Sequence, residues 1–192
     1  MAVKTFTTGE VLTASDTNTY LANAGLVYIT GGIASGATTL NVDNCFTTTY
    51  DNYRLVITRM QVNTTGRAFR LNYRASGSTN TDANYRYAYR GLKVDGVGND
   101  TSNASTTFAE IGVYLDSFAD TDFGSSAIDI YSPKLSARTH ALVAAQGYEG
   151  NYAYRNGGFV FGATNAFDGF AISLSSTGTF TLYWRIYGYR QS

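Results

Sequence analysis

From Phe170 onward the chain alternates apolar and polar residues on both sides of one short break. Phe170, Ile172 and Leu174 share one face and Ala171, Ser173 and Ser175 the other. After Ser176-Thr177-Gly178 the alternation resumes, with Phe180, Leu182, Trp184 and Ile186 set against Thr181, Tyr183, Arg185 and Tyr187. A period of two belongs to strands, and the glycine suits a tight turn, so the two runs predict a hairpin with Trp184 in the core and Arg185 in water. A second hairpin is predicted where Arg67, Phe69, Leu71 and Tyr73 alternate with Arg70, Asn72 and Arg74, and Tyr85, Tyr87 and Tyr89 with Arg86, Ala88 and Arg90. One of its faces is aromatic and the other carries arginines.

Residues 26–30 and 38–43 read as an opening hairpin turning at Gly31-Gly32, and residues 53–62 as a central strand. Residues 108–115, 126–131, 141–146 and 158–162 complete about ten strands. The polar stretches 76–83 and 95–105 read as mobile loops, and Pro133, the only proline, follows a strand where no ladder donor is lost. The chain outside residues 13–25 holds no convincing helix. There Thr13 and Asp16 form a variant capping box, Tyr20, Leu21 and Ala24 fall on one side, and Gly25 ends the run. The expected organisation is an arm over residues 1–25 with a short helix, then an all-β domain over residues 26–192. That domain is read as an antiparallel β-sandwich, jelly-roll-like.

Composition supports this reading. Sixteen Tyr, eleven Phe and twenty Gly stand in 192 residues against three Glu and three Lys, the usual surface helix formers. The formal charge is zero, so no long-range field gathers nucleic acid or an anionic membrane. Cys45 is the only cysteine, so no intrachain disulfide and no thiol pair for zinc can form. The first ten residues lack an apolar signal core, and no stretch approaches the roughly 20 apolar residues of a spanning helix. The expected product is soluble, made in a cytoplasm and free of cofactors.

Catalysis has little to draw on. His140 is the only imidazole and no Gly-x-Ser-x-Gly motif marks a nucleophile. Asp116, Asp120 and Asp122 suggest calcium at a glance, but the glycine and terminal glutamate of an EF-hand loop are missing, so they read as a solvated acidic turn. No carboxylate pair is singled out for glycoside hydrolysis. The expectation is a protein that is not an enzyme and holds no metal. The stretch from Gly147 to Gly158 is different, because it reads as a loop that gathers Tyr148, Asn151, Tyr152, Tyr154, Arg155 and Asn156 between glycines. Flat rings with planar hydrogen-bonding partners suit recognition, including of sugar faces. The same stretch equally suits packing or a subunit contact.

The run Phe6-Thr-Thr-Gly-Glu-Val-Leu-Thr-Ala-Ser-Asp-Thr-Asn-Thr-Tyr-Leu21 resembles the opening segment of many tailed-bacteriophage virion proteins, especially tail-fibre and adhesin-like subunits. Residues 50–57 and 178–183 look like the first and last strands of β-sandwich modules in such fibres. The resemblance implies a virion structural protein, a tail-fibre or appendage subunit. It would dock to other tail or capsid proteins through an N-terminal segment that includes Phe6, Val11, Leu12, Tyr20 and Leu21, assemble as a homotrimer, and expose a face to the host surface and its glycans. The alternatives are a capsid decoration protein on the same fold and, less favoured by the residues, a glycan depolymerase. Neither nucleic acid nor membrane insertion is expected.

Overall fold

The computed structural model describes residues 7–11, 13, 25–115, 123–148 and 150–190. Residues 14–24 of the predicted helix, the attachment residues Phe6, Leu12, Tyr20 and Leu21, and Asp116, Asp120 and Asp122 lie outside those residues. Within the opening segment, the Glu10 amide N–H donates to the Thr7 carbonyl at 3.0 Å and the Val11 side chain is exposed.

The described chain is all-β, with thirteen strands in antiparallel sheets that face each other across one core. The larger sheet has eight strands. Its order is β1 (Leu26–Ala37), β13 (Phe180–Tyr189), β3 (Asn52–Val62), β9 (Gly124–Tyr131), β10 (Thr139–Tyr148), β11 (Tyr152–Phe161), β6 (Tyr85–Lys93) and β7 (Thr101–Thr106). The smaller sheet runs β2 (Thr39–Val42), β12 (Gly169–Leu174), β4 (Phe69–Ala75) and β5 (Ser78–Thr79), with β8 (Ala109–Glu110) paired to β4. The central position expected for residues 53–62 holds, since β3 lies between β13 and β9.

The apolar members of the alternation are where the pattern puts them, whereas Asn72 and Arg74 of the expected polar face are buried as well. Phe170, Ile172, Leu174, Phe180, Leu182, Trp184 and Ile186 are buried, and so are Phe69, Leu71, Tyr73, Tyr85, Tyr87 and Tyr89. Their pairing is not as predicted. β12 and β13 belong to different sheets, as do β4 and β6, and β1 and β2, so none of the three expected hairpins forms. Residues 175–179 cross instead from one sheet to the other, a gap of about 10 Å. Rings of the two sheets therefore meet across the core: Phe69 lies edge-on to Phe180 with centroids 5.4 Å apart, and Phe170 edge-on to Trp184 at 5.9 Å. Gly31 and Gly32, read as a turn, lie inside β1 opposite Arg185 and Trp184. Within the two polar stretches read as loops, residues 78–79 and 101–106 form β5 and β7.

Tyr73 anchors the core, stacked on Phe167 at 4.8 Å and close to Tyr85, Phe159 and Phe161. Burial lifts its phenol far above the usual range, with Tyr85 and Tyr89 adding to the effect. Cys45 is buried, and that burial pushes its thiol up to about 12, so it is a packing residue at neutral pH.

Candidate functional site

The Tyr-rich stretch from Gly147 to Gly158 is a β-hairpin, not a loop. Strand β10 runs to Tyr148 and β11 starts at Tyr152, with the two tyrosines paired and their rings edge-on at 5.4 Å. Period two then divides the predicted residues. Tyr152 (58 % exposed), Tyr154 and Asn156 point outward. Arg155, between them in sequence, points inward and is 4 % exposed. Its Nε donates to the Asn99 carbonyl at 3.0 Å, one terminal nitrogen donates to the Gly112 carbonyl at 3.3 Å, and the other donates to Asn99 Oδ1. The carboxylate of Glu110 is 3.8 Å away. Arg155 is thus withdrawn from the outward set of recognition residues and placed in a buried polar cluster. In that cluster burial raises the pKa of Glu110 against the opposing pull of Arg155, Arg70 and Tyr114.

The hairpin tip has neighbours the sequence did not flag. Asn151 donates through Nδ2 to Asp95 Oδ2 at 3.1 Å, and the Val94 amide donates to the Tyr152 carbonyl at 3.0 Å. The Asp95 carboxyl is held below its usual range by the Val97 amide and then by Asn151. Val94 and Val97 are exposed beside Tyr152, so rings and valines form one apolar tip. Two valines in a Gly/Asp-rich stretch carry no periodicity, and only the pairing of β11 with β6 brings them to the tyrosines.

Beyond the tip, the outer face of the eight-stranded sheet is open. Reading across the strands, one row of partners is Arg185, Val56, Ala127, Ala144, Asn156 and Arg90. The adjoining row is Tyr187, Arg54, Asp129, Leu142, Gly158 and Ala88. The middle of the first row carries the small side chains Ala127 and Ala144, and the second row has Leu142 beside the bare Gly158. At Gly158 a Cβ would come within 2.4 Å of the Ala141 carbonyl oxygen, so close backbone approach keeps this outward position bare; Gly157, in register with buried Val143 and Tyr89, lends the outer face only its backbone. The result is a hollow of about 540 Å³ reaching from Arg54 to Arg90 over Ala127, Ala144 and Gly157. A further hollow of about 540 Å³ is bordered by Arg86, Tyr131, His140 and Val160.

Five arginines stand on this face or its ends, Arg54, Arg59, Arg86, Arg90 and Arg185, against Asp129 and Asp100. Arg54 grips Asp129 bidentately, with both bonds at 2.8 Å, and Tyr189 donates its hydroxyl to the same carboxylate at 2.5 Å. Burial, and then that bond, push the Tyr189 phenol up to about 12. Arg59 is held over the Tyr183 and Phe123 rings. Arg90 faces Asp100 only at 3.7 Å with its side chain almost fully exposed, and neither Arg86 nor Arg185 has an acidic partner among the described residues. Among the described residues, no cluster of three metal-ligating side chains occurs and no helix is long and apolar enough to cross a membrane.

No family model matches the chain, and no curated protein matches it. Among solved structures, an alginate lyase from Alteromonas sp. 272 is similar over 74 % of this chain and 73 % of its own, at 9 % identity and a TM-score of 0.23, a likeness too slight to support any conclusion.

Proposed function

We propose that the protein is a phage virion structural protein, an appendage subunit of the tail-fibre type that assembles as a homotrimer and takes part in host-surface attachment. The observation that carries the attachment role is the tip where Tyr148, Tyr152 and Tyr154 on the paired strands β10 and β11 gather beside Val94 and Val97 of the turn after β6. Exposed rings held by a rigid sheet bind at low entropic cost, and three copies multiply a weak single contact. The virion assignment is supported by the resemblance of residues 6–21 to the opening segments of such subunits. The finer reading of the fold is a jelly roll. It is supported by the way β1, β2, β3 and β4 alternate between the sheets while β12 and β13 return beside them.

Cryo-electron microscopy and peptide mass spectrometry of purified particles test the location, and absence of the chain from them overturns it. Light scattering on the full chain is expected to report three copies. In particles carrying Tyr152→Ala with Tyr154→Ala, host adsorption is expected to fall while incorporation persists; unchanged adsorption would make the tip a packing or subunit contact.

A further inference from the structure

We infer that the outer face of the eight-stranded sheet is a binding groove for a linear, carboxylate-bearing polysaccharide laid across the strands. The inference deepens the attachment reading above but concerns a surface distinct from the tyrosine tip, and it can be tested without the particle. Three features point to this ligand.

The first is shape. Ala127, Ala144 and the backbone at Gly157 leave a low strip beneath the hollow between Arg54 and Arg90, with Leu142 and Asp129 standing along its side. Arg185 and Arg90 lie in one row, five strand spacings apart, or about 24 Å at the usual separation. A ligand that touches both is long and thin. The second is charge. The whole chain is neutral, yet among the described residues this face carries five arginines against two aspartates. Of these, Arg86 and Arg185 have no acidic partner among the described residues, and Arg90 is only loosely engaged. Guanidinium groups at intervals along a groove match carboxylates at intervals along a chain, through bidentate hydrogen bonds.

The third is the chemistry between the arginines. Asn156 and His140 offer hydrogen bonds suited to hydroxyl groups, and Leu142 lies exposed over Gly158, where it meets an apolar ring face. The low strip over Ala127 and Ala144 offers no aromatic ring on which bases could stack, which single-stranded nucleic acid needs. The rings of this face, Tyr28, Tyr183, Tyr187 and Tyr189 on one side and Tyr131 and Tyr154 at the strand ends, stand around it.

The test is native affinity electrophoresis of the full-length protein through gels containing polygalacturonate, hyaluronan, dextran or poly(dT). Polygalacturonate and hyaluronan are expected to retard the protein, dextran is not, and poly(dT) is expected to retard it less than either acidic glycan. Arg90→Ala with Arg185→Ala is expected to weaken retention by about tenfold or more, since charge-assisted hydrogen bonds are lost at both ends. Ala144→Trp fills the floor without altering charge at an exposed position and is expected to weaken retention comparably at an unchanged melting temperature. Retention of that variant equal to the parent's would reduce the interaction to diffuse charge attraction and overturn the groove. Equal retardation by dextran would overturn the requirement for an anion, tighter binding of poly(dT) would reassign the face to nucleic acid, and no retardation by either acidic glycan would end the proposal. A chain found in particles but blind to these glycans refutes the groove alone; one that binds them but is absent from particles refutes the virion reading alone.

Discussion

On the inner face of the eight-stranded sheet, Tyr85, Tyr87, Ile128, Val143, Phe159 and Phe161 meet the aromatic side chains of the smaller sheet. On the outer face, one residue along the same strands, stand Arg86, Ala88, Ala127, Ala144, Asn156 and Val160. The backbone is shared, so the contrast isolates what side chains alone decide. Inside, each large ring excludes water and is held by several others, and removing one leaves a cavity. Outside, small groups leave backbone within reach of a ligand and charged groups keep their water, so changes there should alter binding far more than stability.

The strongest test of this division is to empty an inner position. Phe161 is fully buried with Tyr85 at 4.9 Å and Phe167 at 5.1 Å, so Phe161→Ala is expected to cost on the order of 3 to 5 kcal/mol in urea unfolding. Trp184→Ala should fall in the same range, about 3 to 5 kcal/mol. Trp184 is 8 % exposed and is the only tryptophan, so the parent's emission is expected to be blue-shifted and to move red on unfolding. Emission typical of a wetted indole in the folded protein would mean that the two faces are reversed at β13.

Arg155 is the charged exception on the inner face. Arg155→Ala leaves Glu110 without its nearest cation and removes donors from the Asn99 and Gly112 carbonyls. Breaking such a buried pair is expected to cost about 3 kcal/mol. A loss within about 0.5 kcal/mol, the range of ordinary surface changes, would mean that Arg155 reaches solvent and belongs with Tyr152 and Tyr154 after all.

How far the sequence could be read follows from these same residues. Period two tells which face a side chain takes, and it was right for Trp184, Tyr73 and Tyr89, because burying one face is a property of a strand by itself. It does not tell which strand lies alongside. The runs at 170–174 and 180–186 look like a hairpin, yet their short connection spans the two sheets as readily as it closes a turn. The error at Arg155 has a different origin. Between glycines and tyrosines the stretch reads as a loop, which hides its alternation; period two places Arg155 on the side of Ala153 and Phe159. The groove was not legible, since Arg185, Ala144 and Arg90 lie far apart in sequence and meet only through sheet order.

A smaller effect is expected at the edge of the second sheet, where Arg74 holds Asp43 with Nε–Oδ1 at 2.7 Å. The bond to Arg74 lowers the Asp43 pKa, against some desolvation. A carboxyl whose pKa is lower folded than unfolded contributes stability above its unfolded value, near 3.9, and loses it as pH falls through the folded value. The melting-temperature gap between the parent and Asp43→Asn is therefore expected to be constant from about pH 7 to 5 and to close below about pH 4. A gap that persisted in acid would show that the carboxylate charge is not what the fold uses there. Glu110 has the opposite sign, because burial raises its pKa and proton uptake favours the folded state.

The smallest effect is expected at Leu142, which is also where the contrast between the faces can be broken most cleanly. Leu142 sits on β10 one residue from buried Val143 and is 57 % exposed. A leucine in a core loses about 2 to 5 kcal/mol on truncation to alanine; one standing on an uncovered sheet face loses within about 0.5 kcal/mol. Leu142→Ala is therefore expected to leave urea unfolding of the dilute protein unchanged within that limit, while Val143→Ala, the adjacent position on the other face, is expected to cost about 1 to 3 kcal/mol. The pair should be measured over a range of protein concentrations. If Leu142→Ala proved as costly as its neighbour only at high concentration, a second copy would be covering the outer face, and the groove would be a subunit interface. Equal costs at every concentration would mean that the sheet has no open face, and the division drawn between its two sides would fail.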